Sequence, residues 1–304
     1  MLIRTIIVVL ISLMPIGAFA MHPEAQYGGT EEISNLDVLV TRYSDETCKE
    51  CHEEIYAEWK ESYHSQSVVH SIGGLRNFIV HGVEKGWNAE ITKEHLMRCM
   101  DCHAPQLQDA SKSLIRDVAE LIKKTVDAQD EDAKEKLAKL NVNCVICHNT
   151  KVSIEKNLKG KPKPGVYYGP KGKSTTWLKK AGFSATRAHG TERSAAVTSA
   201  LFCGQCHGMY TPPDGDIIGC NTLYGSYQDA YRGNGGTETC QDCHMRAKNR
   251  GHRFPGAYEK DIVKDGIGVD AQVIGLNIKP GTWIPTIIAR VSLTNKAGHR
   301  IPDG

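Results

Sequence analysis

Cys48-Lys49-Glu50-Cys51-His52 is the stretch from which the rest of the chain is read. Its pattern, two thiols separated by two residues with an imidazole directly after the second, returns four times: at Cys99, Cys102 and His103; at Cys144, Cys147 and His148; at Cys203, Cys206 and His207; and at Cys240, Cys243 and His244. Sulfurs at this spacing can form thioethers with the two vinyl groups on one edge of a haem while the next ring nitrogen turns back onto the iron, so each pentapeptide reads as a c-type haem attachment site. Zinc ligation or a redox dithiol is the alternative for any one copy. Repetition that consumes ten of the eleven cysteines favours five covalently attached c-type haems.

That cofactor load bounds the rest. The 304 residues leave about sixty per haem, so much of the apolar interior is expected to be porphyrin, in keeping with an aromatic content of only 7%. Arg4, an apolar run from Ile6 to Ile16 and Ala18-Phe19-Ala20 before Met21 make residues 1–20 a secretory signal peptide, with a retained anchor as the alternative reading. Export suits c-type haem, which is attached outside the cytoplasm, and places the protein in the periplasm or at the cell surface. No later stretch is long and apolar enough to span a bilayer, so no transmembrane segment is expected once the signal is removed. The formal charge of +2 ignores two propionates per haem; the holoprotein should be acidic, which argues against nucleic acid as a partner.

From Met21 to Glu46 the chain reads as a polar leader with an extended Asp37-Val38-Leu39-Val40, draped over the first haem. After His52, a helical stripe of Ile55, Tyr56, Trp59 and Tyr63 should pack on haem while the acids face water. On a continuous helix His64 lies about 18 Å beyond His52 at the standard rise, so it should reach a different haem. His95, one turn before Cys99, should likewise point at a neighbouring haem; a surface histidine is the plainer alternative for each. Ser111 to Leu140 reads as a helical hairpin or kinked helix, broken at Asp130-Glu131-Asp132. The lysine-rich stretch Lys156–Lys180, without an acid, reads as a basic surface loop that neutralises propionates, with docking of an acidic partner as the alternative. The odd thiol, Cys220, reads as a small buried apolar residue. Tyr224, Tyr227 and Tyr231 should wall a haem edge.

Gly251-His252-Arg253-Phe254-Pro255-Gly256 is repeated near the end as Gly298-His299-Arg300-Ile301-Pro302-Asp303-Gly304. In both, glycine permits a tight turn that lifts the imidazole and proline stiffens the exit. Gly266 to Thr294 alternates with period two and reads as two strands joined through Lys279-Pro280-Gly281-Thr282, a small β element that must pack on the haem domain or belong to a fragment. The expected organisation is therefore a signal peptide over 1–20, a pentahaem domain over 21–258, mainly α and loop-rich around a haem chain, and a small β element over 259–304, truncated if the chain is a fragment.

Eight histidines lie outside the attachment motifs: His22, His64, His70, His81, His95, His189, His252 and His299. Five irons need five distal ligands, and the mature chain's few methionines mostly crowd the attachment motifs, so bis-histidine haems of low potential are expected. Proximal ligands are His52, His103, His148, His207 and His244. Distal candidates are His64, His95, His189, His252 and His299, with His22, His70 and His81 in reserve; His22 could also be donated to a neighbouring molecule.

The attachment site followed by Trp59, Ser62 and His64 resembles the multihaem cytochrome c554-like family. The resemblance continues through Cys99-Met100-Asp101-Cys102-His103-Ala104-Pro105 and through Cys240-Gln241-Asp242-Cys243-His244-Met245 with His252-Arg253-Phe254-Pro255-Gly256, covering Ser44 to Ala257. It implies a mostly helical, loop-rich fold whose closely spaced haems carry electrons in respiratory chains outside the cytoplasm. It also implies distal positions for His64, His95, His189 and His252. Five haems departs from the tetrahaem carriers, filament-forming cytochromes and octahaem enzymes among similar proteins.

An electron carrier without catalytic residues is the leading expectation, serving redox protein partners that are membrane quinol-linked or extracellular acceptors. Two alternatives stand beside it: a reductase of a small nitrogen or sulfur oxyanion with one open haem, and a homo-oligomeric subunit of an extracellular cytochrome filament.

Overall fold

The structure, a computed structural model, describes residues 32–149, 166–169, 190–208, 223–278, 281 and 285–301. The stretch read as a signal peptide, His22, His189, Cys220 and most of Lys156–Lys180 lie outside the described residues. The described chain is mainly helical with two small sheets, which agrees with the expected class.

The protein-only core is concentrated between Ile33 and Ile146. Its central element is the helix Lys112–Asp127, which buries Leu114, Ile115, Val118, Ala119 and Ile122 on one face and leaves its charged residues on the other. Ser111 starts this helix by accepting the Leu114 N–H at 3.3 Å. After Gln129, whose φ of 53° turns the chain, Asp130 caps the helix Glu131–Ala138 by accepting the Ala133 N–H at 3.0 Å. The acidic break foreseen at 130–132 is therefore the cap of the hairpin's second arm. Near this core, Asp109 accepts hydrogen bonds from Tyr43 Oη (2.6 Å) and Arg42 Nη1 (3.4 Å), tying the start of the described chain to the segment after Cys102.

The leader does not run extended at Asp37–Val40. Leu36–Arg42 is a helix, because Asn35 Oδ1 accepts the N–H groups of Asp37 and Val38 and Leu39 finds a fully buried site, which together outweigh the β-branched valines. The next expectation is met in part: the helix Glu53–Lys60 buries Tyr56 and Trp59, but Ile55 and Tyr63 are exposed. That helix stops before His64, which sits instead on the 3₁₀ turn Tyr63–Gln66.

Four residues of the expected basic loop, Val166–Gly169, form a strand, β1, which pairs in parallel with β2, Gly190–Arg193. The Val-Tyr-Tyr run is a strong strand former that the surrounding lysines masked. The C-terminal β element is present as an antiparallel hairpin of β3, Ile267–Ile278, and β4, Pro285–Asn295, with a register shift between Val273 and Gly275. Cross-strand partners Val269/Leu293, Ala271/Val291 and Val273/Ala289 make one apolar face. That face is open: Val273 is 72% exposed and Leu293 71%. The expected packing of this face on the helical part is absent among the described residues, and the hairpin joins the rest at its ends, through Lys296 N–H to Gly266 O (2.8 Å) and Arg300 N–H to Ser226 Oγ (3.3 Å).

Buried apolar side chains are scarce after residue 190: among the described residues they are Ala196, Ala200, Tyr227 and Pro255. The expectation of a porphyrin-filled interior thus needs division, since the first half has a core of its own. Ile122→Ala should remove about 2–5 kcal/mol of stability by opening a cavity in that core, readable as a lower denaturation midpoint of the intact protein at unchanged haem content.

Candidate functional site: five attachment motifs and facing imidazoles

A helical turn brings residues i, i+3 and i+4 onto one side, and the attachment motifs use it. In the first, His52 N–H donates to Cys48 O at 2.9 Å and Cys51 N–H to the same oxygen at 3.2 Å. The second motif is the last turn of the helix Lys93–His103, and the third is the short helix Cys144–His148, capped by Asn143 Oδ1 on the Ile146 N–H. The fourth straddles a helix end. Cys203 lies on the helix Ala200–Gly204, whereas Cys206 and His207 follow it in a turn that is still wound like a helix: Cys206 N–H donates to Cys203 O at 3.1 Å and His207 N–H to the same oxygen at 2.9 Å. Cys206, half-buried, thus keeps the position that the spacing assigned to it without belonging to a regular helix. The fifth motif overlaps a π-helical turn, Asp242–Arg246. Each motif therefore presents two thiols and an imidazole together, and the ten motif cysteines carry no disulfide.

The imidazoles are oriented from behind. His103 Nδ1 lies 2.9 Å from Ser67 O, His148 Nδ1 2.8 Å from Tyr168 O and His244 Nδ1 2.8 Å from Pro255 O. Facing a carbonyl, Nδ1 must carry the proton, which leaves the Nε2 lone pair free for a metal. Burial holds His103, His207 and His244 below the usual histidine range, so they are neutral near pH 7.

Three motif imidazoles have another histidine across from them. Ring centroids of His64 and His207 are 6.0 Å apart, those of His148 and His252 6.4 Å, and those of His244 and His299 6.3 Å. A metal held between two imidazole nitrogens by bonds of about 2 Å separates the ring centres by roughly 6 Å. Burial first, and then the neighbouring His207 or His148, pushes His64 and His252 down to about 4, again the neutral, ligating form. His299 Nδ1 sits 2.9 Å from Arg300 O, which frees its Nε2 as well.

These residues fit haem rather than a bare ion. Among the described residues no cluster of three or more His, Cys, Asp or Glu could hold a metal by itself, whereas a porphyrin supplies four equatorial nitrogens and needs only two axial ones. Burial pushes the Cys147 thiol up to about 12, and the hydrogen bonds linking Cys144 to Cys48 and Cys203 to Cys240, reinforced by burial, raise the Cys144 and Cys203 thiols. The same hydrogen bonds lower their partners Cys48 and Cys240, so titration does not speak against a bare ion; the lack of a ligand cluster among the described residues does.

The remaining candidates are placed differently. His95 is a helix cap: its N–H donates to Thr92 Oγ1 and its Nδ1 accepts the Thr92 N–H at 3.3 Å, while its ring lies 5.3 Å from Trp87. An accepting Nδ1 puts the proton on Nε2, so His95 is placed as a cap and not across from a motif imidazole. His70 lies between Tyr63 and Tyr258, and His81 Nε2 contacts Arg76. The two Gly-His turns also differ. Gly251 has φ of +59°, and a Cβ there would land on the Glu58 carboxylate, which accepts the His252 N–H at 2.9 Å. Gly298 shows no such crowding; a Cβ would meet Tyr231 only at ordinary contact distance. Tyr224, Tyr227 and Tyr231 form a ladder with ring centroids 6.2 and 5.8 Å apart, its first ring against Gly204 beside Cys203. Sequence reading missed the ties around these motifs, such as Trp59 Nε1 to Val142 O (2.9 Å) and Asn143 Nδ2 to Tyr43 O (2.8 Å), which join residues too far apart in the chain for spacing to signal them.

Gly251→Ala should displace Glu58 and strain a left-handed turn, costing more than about 1 kcal/mol. The check is thermal unfolding together with the low-spin fraction of the spectrum, both of which should fall.

No curated protein and no solved structure matches this chain. Residues 47–149, which carry the first three attachment motifs, match the family model for cytochrome c554 and c-prime. Cytochromes of this kind bind haem covalently and serve redox partners. Match and motifs together make residues 47–149 similar to the cytochrome c554 and c-prime family, in a stretch that carries three of the attachment motifs.

Proposed function

We propose that the protein is an exported pentahaem electron carrier of an anaerobic-type respiratory chain, working in the periplasm or at the cell surface between redox partners. When bound, each haem supplies a one-electron iron couple; the chain supplies the axial ligands, their orientation and the distances between centres. Numbered along the sequence, haem 3 takes His148 and His252, haem 4 takes His207 and His64, and haem 5 takes His244 and His299. His52 and His103 are the proximal ligands of haems 1 and 2, whose distal ligands come from His22, His70, His81 and His189.

The reading is carried by the three imidazole pairs held 6.0–6.4 Å apart. Ligation on both faces closes an iron to substrate, and two nitrogen ligands keep its potential lower than methionine would. That suits transfer rather than turnover. Neutral imidazoles with Nδ1 pinned to a carbonyl also change little when the iron changes charge, so little reorganisation opposes the electron's movement. No helix among the described residues is long and apolar enough to cross a membrane, which fits a carrier that reaches its partners by docking.

The test is direct. The mature protein should carry five haem masses and show low-spin ferric signals for haems 3, 4 and 5. His299→Ala should open haem 5, giving one high-spin centre and carbon monoxide binding to about one iron per molecule on reduction. An unmodified protein short of five haems would overturn the reading. So would rapid turnover of nitrite, hydroxylamine or sulfite at one of those three centres.

A further inference from the structure

The segment His252–Pro255 meets three separate histidines, His148, His64 and His244. The His252 ring faces His148. Phe254 presents its ring edge-on to both His64, at 4.8 Å between centroids and 84° between planes, and His252, at 5.6 Å and 81°. Pro255 O receives His244 Nδ1 at 2.8 Å. On the assignments proposed above, which this inference rests on, consecutive residues therefore address haems 3, 4 and 5. Phe254 reaches this place in a left-handed conformation, φ 46°, that a bulky side chain rarely adopts. Strain of this kind persists where the surroundings over-determine a residue, and it gathers at functional sites.

The haems on either side of that ring are themselves grouped by the backbone. Asn143 Nδ2 to Tyr43 O (2.8 Å) and Trp59 Nε1 to Val142 O (2.9 Å) fasten the entry of motif 3 to the surroundings of motif 1. Gln241 Nε2 donates to Val197 O (3.0 Å) and Ser199 O (2.8 Å), which fastens motif 5 to the start of the helix that carries Cys203. These ties group motifs 1 and 3 on one side and motifs 4 and 5 on the other, and with them the haems each would hold.

We propose that Phe254 is a positioning residue shared by two haems: wedged between the distal imidazoles of haems 3 and 4, its ring fixes both imidazole planes and forms the junction between the N-terminal and C-terminal haem pairs. An edge-on aromatic contact restricts rotation of each imidazole about its iron–nitrogen axis, and the angle between the two axial planes governs the g-values of ferric low-spin haem. Electron transfer weakens steeply with the gap between centres, so filling that gap with a rigid ring keeps the two pairs one circuit.

The experiment compares Phe254→Ala and Phe254→Tyr in the full holoprotein with haem content fixed by mass. Phe254→Ala should shift the low-spin g-values of two haems and leave three unchanged, and should slow electron passage through a protein film severalfold; Phe254→Tyr, which keeps the ring, should restore both. Unchanged spectra and unchanged passage in Phe254→Ala would overturn the proposal. So would a shift at one haem alone, or at all five. If Phe254→Ala fails to take up five haems, Phe254→Leu serves in its place, judged by the same two readouts. The wild-type mass and low-spin signature are measured first, so an error in the haem assignment shows there and not in the variants.

Discussion

Two imidazole rings held with their centres about 6 Å apart leave room for a metal between their nitrogens. Three pairs take this arrangement, His64/His207, His148/His252 and His244/His299. Each pair joins residues from separate parts of the sequence, so bringing its two rings together ties distant segments of the chain. The turn at Gly251, the break after the helix Glu53–Lys60 and the carbonyls behind His103, His148 and His244 all serve it. Short helices and irregular turns dominate the described residues outside the hairpin Lys112–Ala138, as the ligation proposed above would demand.

The two halves answer this constraint with different means. Residues 33–146 own a packed side-chain core around Leu114, Val118 and Ile122, and would retain a hydrophobic centre even around few cofactors. Beyond residue 190 little apolar burial is available, with Tyr227 the largest such side chain among the described residues. Order in that half comes from polar ties, such as Gln241 to Val197 and Ser199, and from links back to the first half, such as Glu58 to His252. Porphyrin as interior is therefore a statement about the second half more than the first.

The attachment motifs were legible because i, i+3, i+4 spacing is local and its chemistry is narrow. That holds even in the fourth motif, where Cys206 and His207 fall past the end of the helix and only the bonds to Cys203 O keep the winding. The amphipathic helix from Lys112 and the alternating strands β3 and β4 were legible for the same reason: period alone reveals them. What failed was whatever depended on a partner distant in sequence or on a local cap. Val38 and Val40 suggested an extended strand until Asn35 and a buried site for Leu39 decided for helix. His95, expected as a ligand from its spacing, also caps a helix, its Nδ1 accepting from Thr92. His299 stands across from His244 at nearly the distance at which His252 stands across from His148. Nothing in the spacing could announce that Phe254 lies between two imidazoles, since only folding brings position 64 beside it.

The pairing of His64 with His207 and of His148 with His252 runs in opposite senses along the chain: the early ring serves the later motif, and the late ring serves the earlier one. Such a weave cannot be unpicked into modules. A proteolytic nick between Asn149 and Phe202 would part both pairs at once. On the ligation proposed above, each fragment would then keep an imidazole whose iron belongs to the other, and neither piece moved to a foreign scaffold would carry complete centres.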